Sequence, residues 1–100
     1  MAIKLTWDDS KNRANQAKHG LDFADAGLVL ESKYRLDIAV IRNGEKRIQS
    51  FAYVFGRLAV LSVVHTKRME GIRIISFRYA SHLETEMYYD WLENDYEDPQ

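Results

Sequence analysis

The chain has 100 residues, 46% of them hydrophobic, with one proline and no cysteine. That length predicts one domain with a core of its own, from the prior of about 100–200 residues per domain. The absence of cysteine excludes a disulfide framework, a thiolate metal site and a Cys nucleophile.

The formal charge of −1 hides an asymmetry. Residues 1–83 carry all 14 Lys and Arg against 8 Asp and Glu, a formal +6, whereas residues 84–100 carry 7 acids and no Lys or Arg. A basic body points to a polyanionic partner. The acidic end is either solvated or an internal screen over the basic face. No stretch approaches the roughly 20 apolar residues of a membrane span. The apolar stretch in Met1–Trp7 is too short for a secretory leader. A soluble cytoplasmic protein without a cofactor is expected.

In chain order, Ile3 to Trp7 alternates and reads as a short strand. Asp8, Asp9 and Ser10 offer N-caps for a helix through Lys18, which Gly20 is placed to end. Asp22 is placed to cap a second helix from Phe23 to about Glu31. Tyr34 to Arg42 is a strand ending in Asn43-Gly44, a hairpin signal. Arg47 to Phe55 follows, then a Gly56-Arg57 turn. Leu58 to Thr66 is apolar enough for a central strand. A charged loop, Lys67 to Gly71, leads to a last strand, Ile72 to Tyr79. Ser81 and Glu84 form a capping box ahead of a helix whose Leu83, Met87, Tyr88 and Trp91 share an apolar face. The order β-α-α-β-β-β-β-α predicts an α+β fold, an antiparallel meander sheet covered by helices. Residues 1–100 form a single domain, with an acidic tail from about residue 90 to 100.

Hairpin geometry sets one side-chain constellation. With Asn43-Gly44 as the turn, Arg42 faces Glu45 and Val40 faces Arg47. Alternation then puts Glu45, Arg47, Gln49, Phe51, Tyr53 and Phe55 on one face. A Gly56-Arg57 turn brings Thr66 opposite Arg47. A carboxylate, a guanidinium and a hydroxyl at one end of a sheet face can bind and attack a phosphodiester. The competing reading is an ordinary cross-strand ion pair.

Lys18-His19-Gly20 ends the first helix, where the dipole favours a cation and where a His suits acid–base work. His82 and Glu86, four apart on the last helix, lack further ligands at metal-site spacing, so no metal is expected. His65 reads as a core or edge residue. Arg68, Arg73 and Arg78 suit phosphate through their planar forks. Arg73 and Arg78 differ by an odd number and face opposite sides of a regular strand. The length of the Lys67–Gly71 loop decides which of them joins Glu45, and the sequence leaves that open.

Trp7-Asp8, Lys11, Asn15 and Lys18-His19-Gly20 resemble the opening signature of the BrnT family of bacterial type II toxins. Gly44-Glu45-x-Arg47 resembles its middle motif. Thr66-x-Arg68 and Arg73-Ile74-Ile75-Ser76-x-Arg78-x-Ala80 resemble its closing motif, with Glu84 and Tyr88 following at the family's spacing. The resemblance implies a RelE-like fold and a metal-independent endoribonuclease. It implies His19, Glu45, Arg68 and Arg78 as catalytic residues, and Lys18, Arg47 and Arg73 as substrate-binding residues. The implied partners are an RNA substrate and a cognate antitoxin resembling BrnA, with a ribbon-helix-helix region. Operator DNA is reached only through that antitoxin, and a toxin–antitoxin heterotetramer is a candidate assembly. Ala52-Tyr53-Val54-Phe55 departs from the family, which often has an Ile-Gly pair there; His65 stands where Tyr or Phe is commoner. The alternative is a catalytically inactive module that partners a ribbon-helix-helix repressor. A plain nucleic-acid-binding domain is weaker, because no groove-reading motif is present.

Overall fold

Side-chain caps set the first element boundaries. The computed structural model describes residues 4–69 and 71–97. Strand β1 is Leu5–Thr6, and the expected start at Ile3 lies outside the described residues. Helix α1 spans Asp9–His19; the Asp8 carboxylate accepts from the Lys11 amide, and the Gly20 N–H donates to the Gln16 carbonyl at 2.8 Å. The expected second helix is broken in two. Asp22 caps a 3-10 turn, Phe23–Asp25, and a single α-turn, α2, follows at Gly27–Leu30. Phe23, Ala26 and Val29 are three apart and all buried. A three-residue repeat keeps to one side of a 3-10 coil better than of an α-helix.

Four strands form the meander: β2 (Leu36–Arg42), β3 (Glu45–Val54), β4 (Ala59–Arg68) and β5 (Gly71–Tyr79). Asn43 and Gly44 have φ of 52° and 77°, the left-handed pair that a type I′ hairpin requires. Arg42 consequently pairs with Glu45 and Val40 with Arg47. The next turn is longer than expected, a 3-10 turn over Phe55–Arg57. Its register is the expected one, with Val54 on Ala59 and Ile48 on His65. The Lys67–Gly71 loop is shorter than expected, because Lys67 already pairs with Ile72 and Arg68 with Gly71.

The sheet order is β1-β5-β4-β3-β2, and β1 runs parallel to β5. The sheet is therefore mixed, which corrects the purely antiparallel expectation. After β1 the chain crosses by α1 and α2 to the far edge. Three antiparallel steps then bring β5 in beside β1, pointing the same way. Close approach at that seam demands Gly71: it has φ of 151°, and a Cβ there would collide with the Lys4 carbonyl.

One sheet face packs Ala52, Val54, Leu61, Val63, Ile74 and Phe77 against Leu21, Phe23, Ala26, Val29 and Leu30. Asn15 ties α1 to the edge of β5 beyond the end of β1. Its amide donates to the Phe77 carbonyl at 2.7 Å, and its oxygen accepts from the Phe77 amide at 3.2 Å. The other face packs Phe51 and Val60 under Tyr88 of α3 (His82–Asn94), with Leu36, Ile38, Trp91 and Leu92 around them. The capping box at Ser81 and Glu84 forms as expected. The acidic segment from Asp90 remains helical to Asn94, and Tyr96 packs on Trp91 and Tyr34 at 5.5 and 5.2 Å. Residues 98–100 lie outside the described residues. Among the described residues, no helix is long and apolar enough to cross a membrane.

Strand β5 contains a bulge. His65 pairs with Ile74, but Val64 pairs with Ser76, so Ile75 is the extra residue. Core packing accounts for it. Ile74 and Phe77 are an odd number apart, yet are 1% and 0% exposed in the same cluster. Only a slip between them puts both on one face.

Candidate functional site

The same bulge acts on the opposite face. Arg73 pairs with Thr66 and Arg78 with Ser62, and these partners lie an even number apart on β4. Both arginines therefore share one face, which corrects the expectation that they oppose each other. Glu45, Arg47 and Gln49 lie there too, by the register of β3 on β4. Helix α3 covers the half of this face around Phe51 and Val60. The half nearest the Asn43-Gly44 turn is left open. Arg42 from β2, Arg47 from β3, Arg68 from β4 and Arg73 from β5 stand on it, and Arg78 from β5 stands at its border with α3, level with Phe51 and bonded to Glu84.

Two carboxylates organise these guanidiniums. Arg47 Nε donates to Glu45 Oε1 at 2.7 Å, and Arg68 Nη2 reaches Glu45 Oε2 at 3.5 Å. Arg78 makes a two-pronged bond to Glu84, with Nη1 to Oε1 at 2.7 Å and Nη2 to Oε2 at 2.9 Å. Glu84 Oε1 also accepts from the Ser81 amide at 2.8 Å. The helix cap and the guanidinium thus share one carboxylate. Gln49 Nε2 donates to Ser62 Oγ at 3.0 Å and approaches Glu84 at 3.5 Å.

Between them lies a cleft of about 430 Å³, lined by Val40, Ile41, Arg42, Arg47, Gln49, Val64, Ser76 and Arg78. A cavity of about 510 Å³ beside α2, among Ala24, Gly27, Leu28 and Glu31, has no cationic lining. Chemistry rather than size selects the arginine cleft.

The structure brings together Glu45, Arg47 and Arg68, and places Arg73 and Arg78 on the same face. It does not bring Lys18 and His19 to them. Those two end α1, one helical turn beyond Asn15, which contacts Phe77. Glu45 stands level with Gly71, six residues away along the strand, so roughly 20 Å separates the two groups. Sequence reasoning missed Arg42 and Ser76 as cleft residues. The Arg42–Glu45 pairing was the available signal for the first. Ser76 shares the face only because of the bulge.

The Arg47 hydrogen bond holds the Glu45 carboxyl below the usual range, with a smaller contribution from the Arg47 and Arg68 charges. The Arg78 bond lowers Glu84 from 4.5 to about 2. Glu84 raises Arg78 in return. Because the folded Glu84 value is depressed, its contribution to stability is fully present above about pH 4.5 and is lost as pH falls towards 2. Denaturant midpoints measured across that window should fall less steeply for Glu84→Gln than for the wild type. Equal slopes would show that the pair is not coupled to folding.

His65 lies on the opposite face, buried, with Nε2 2.8 Å from Ser50 Oγ, and burial lowers its pKa. His82 and Glu86 pair with each other at 2.7 Å on exposed α3 surface. Among the described residues, no three metal-ligating side chains cluster.

In comparison with known families, the model described as "Ribonuclease toxin, BrnT, of type II toxin-antitoxin system" matches residues 7–84. A search of the curated proteins found no match.

Proposed function

The chain belongs to the BrnT ribonuclease toxins of type II toxin-antitoxin systems, and on that footing we propose that the arginine cleft is where RNA is cut, by attack of its own 2′-hydroxyl. The observation that carries this reading is the convergence of Arg42, Arg47 and Arg78 on one cleft beside an ionised carboxylate, Glu45. RNA carries its nucleophile next to the scissile phosphate, so positioning supplies much of the rate. The 2′-oxygen attacks phosphorus and the bond to the 5′-oxygen breaks. The products are a 2′,3′-cyclic phosphate and a 5′-hydroxyl, the departing 5′-oxygen taking its proton from solvent water. Glu45 accepts the 2′-hydroxyl proton, and the guanidiniums stabilise charge developing on the phosphate. Glu45 is favoured over His19 as base because it alone of the two stands beside the arginines.

The RelE-like assignment belongs to this reading. So does the partner, an antitoxin resembling BrnA whose ribbon-helix-helix region reads operator DNA, in a toxin–antitoxin heterotetramer. One observation favours the competing reading, a binding module without activity: Glu45 and Glu84 already pair with Arg47, Arg68 and Arg78. Cleavage decides between them. Partner-free protein is expected to cut single-stranded RNA in excess EDTA and to leave cyclic phosphate ends. Glu45→Gln is expected to slow that cleavage by about 10²–10⁴-fold, the range for a general base. A requirement for divalent metal would overturn the mechanism, and an unchanged rate in Glu45→Gln would make Glu45 structural and move the base role to His19.

A further inference from the structure

The open half of the sheet face holds a second groove that the cutting reaction does not use. It lies where β1, β5 and the end of β4 meet, has a volume of about 410 Å³, and is lined by Thr6, Arg68, Met69, Gly71 and Arg73. Thr6 pairs with Arg73 across the parallel seam. Paired residues point to one side, so the Thr6 hydroxyl and the Arg73 guanidinium share the face of the arginine cleft. Arg68 reaches the groove from β4, its side chain 48% exposed and, among the described residues, in contact with Glu45 at 3.5 Å.

Three features favour an anion here. The groove has two guanidiniums and a hydroxyl, and its described lining includes no carboxylate. Arg73 makes no hydrogen bond or ion pair through its side chain among the described residues. Of the described acids, Asp8 feels Arg73 only weakly: its carboxyl is drawn down first by the Ser10 hydroxyl and the Lys11 amide and only last by Arg73. The required glycine at 71 adds no side chain to the groove floor.

Position identifies the anion. Arg73 and Arg47 flank Thr66 on neighbouring strands, about 10 Å apart across two strand spacings. The two arginine sites are thus level and adjacent, perpendicular to the strands. Arg68 stands between them and contacts Glu45 on one side and the groove on the other. A chain with regularly spaced phosphates can engage both at once.

We propose that this groove is a second phosphate subsite, which holds a backbone phosphate of the RNA neighbouring the one in the arginine cleft. The inference rests on the reading of the cleft as an RNA site and adds the direction of the strand, across the sheet from β2 towards β1. Arg73 is a substrate-binding residue in it, and its effect should grow with the number of phosphates in the ligand.

The test uses probes without the internal nucleophile, so it does not depend on cleavage. A 2′-O-methyl hexaribonucleotide and a 2′-O-methyl dinucleotide with one phosphate are titrated against the full chain. The wild type should bind the hexamer more tightly. Arg73→Ala should weaken hexamer binding about tenfold, the loss of one charge-assisted contact, and erase most of the difference between the probes. The slope of log affinity against log salt should fall by about 0.7 for the hexamer. Arg73→Gln keeps the aliphatic stem, and the same loss of slope in that variant excludes a folding defect. Equal weakening of both probes would put Arg73 on the reacting phosphate and overturn a separate subsite. An unchanged slope would overturn it outright. A wild type that binds the hexamer with this dependence but cuts no RNA would retire the nuclease mechanism and leave the subsite standing.

Discussion

Arg78→Ala is expected to reduce RNA cleavage at saturating substrate by about 10²–10³-fold, the loss seen when one preorganised donor to a developing oxyanion is removed. The side chain points into the cleft and is fixed by two bonds to Glu84, so it is oriented before substrate arrives. A fixed guanidinium needs little reorganisation as charge develops, which is why the effect should fall on turnover rather than on affinity alone. Two roles must be separated, because Glu84 also caps α3. Single-turnover rates and denaturation midpoints for Arg78→Ala and Arg78→Lys accomplish this. If Arg78 acts on the phosphate, the rate collapses while most stability remains, since Glu84 keeps its bond to the Ser81 amide and is partly hydrated. If the rate loss only tracks the loss of folded protein, Arg78 is a strut for the helix and the cleft needs another donor.

The largest expected effect on stability is at Tyr88. Its ring is fully buried beneath α3 against Phe51 and Val60, and its hydroxyl donates to the Tyr34 carbonyl at 2.6 Å. Tyr88→Ala removes a large aromatic side chain from a small second core and should cost about 3–5 kcal/mol. Against a total of about 5–15 kcal/mol for a typical domain, that is enough to populate the unfolded state. Tyr88→Phe keeps the ring and loses the hydroxyl, leaving the Tyr34 carbonyl without this donor. Its expected cost is about 0.5–1.5 kcal/mol. Urea unfolding of the two variants reads both numbers. A small effect for Tyr88→Ala would mean that Trp91 and Leu92 hold α3 by themselves. A truncation before Trp91 would remove those side chains too, so it tests folding more than any screening by the acidic end.

Much of the chain is legible by local chemistry. Asp8 and Gly20 bound the first helix, and Ser81 with Glu84 starts the last, because caps act within one turn of backbone. Asn43-Gly44 is legible for the same reason, and counting outward from it gives the pairing of Arg42 with Glu45 and of Val40 with Arg47. The cluster of Glu45 with Arg47 followed from that count alone. The family resemblance extended the reading to a ribonuclease toxin, which the match over residues 7–84 supports.

Other features depend on contacts distant in sequence. The parallel pairing of β1 with β5 joins residues more than 60 positions apart, and nothing in a two-residue strand encodes its direction. The break in the second helix follows from which of its side chains the sheet can accommodate. The face of Arg73 and Arg78 was undecidable because Ile74-Ile75 offers two apolar residues in succession, and either register buries one of them. Packing of Ile74 and Phe77 into the same core resolves it, and the bulge at Ile75 is the result. His19 is a good acid–base candidate in sequence, but α1 docks through Asn15 at the far end of β5 and holds it away from Glu45. Local caps and turns determined the elements of this protein, because their energies are settled within a few residues. Burial of one continuous apolar face decided which side chains meet in the cleft, because a strand's facing changes with a single-residue slip that only the core can select.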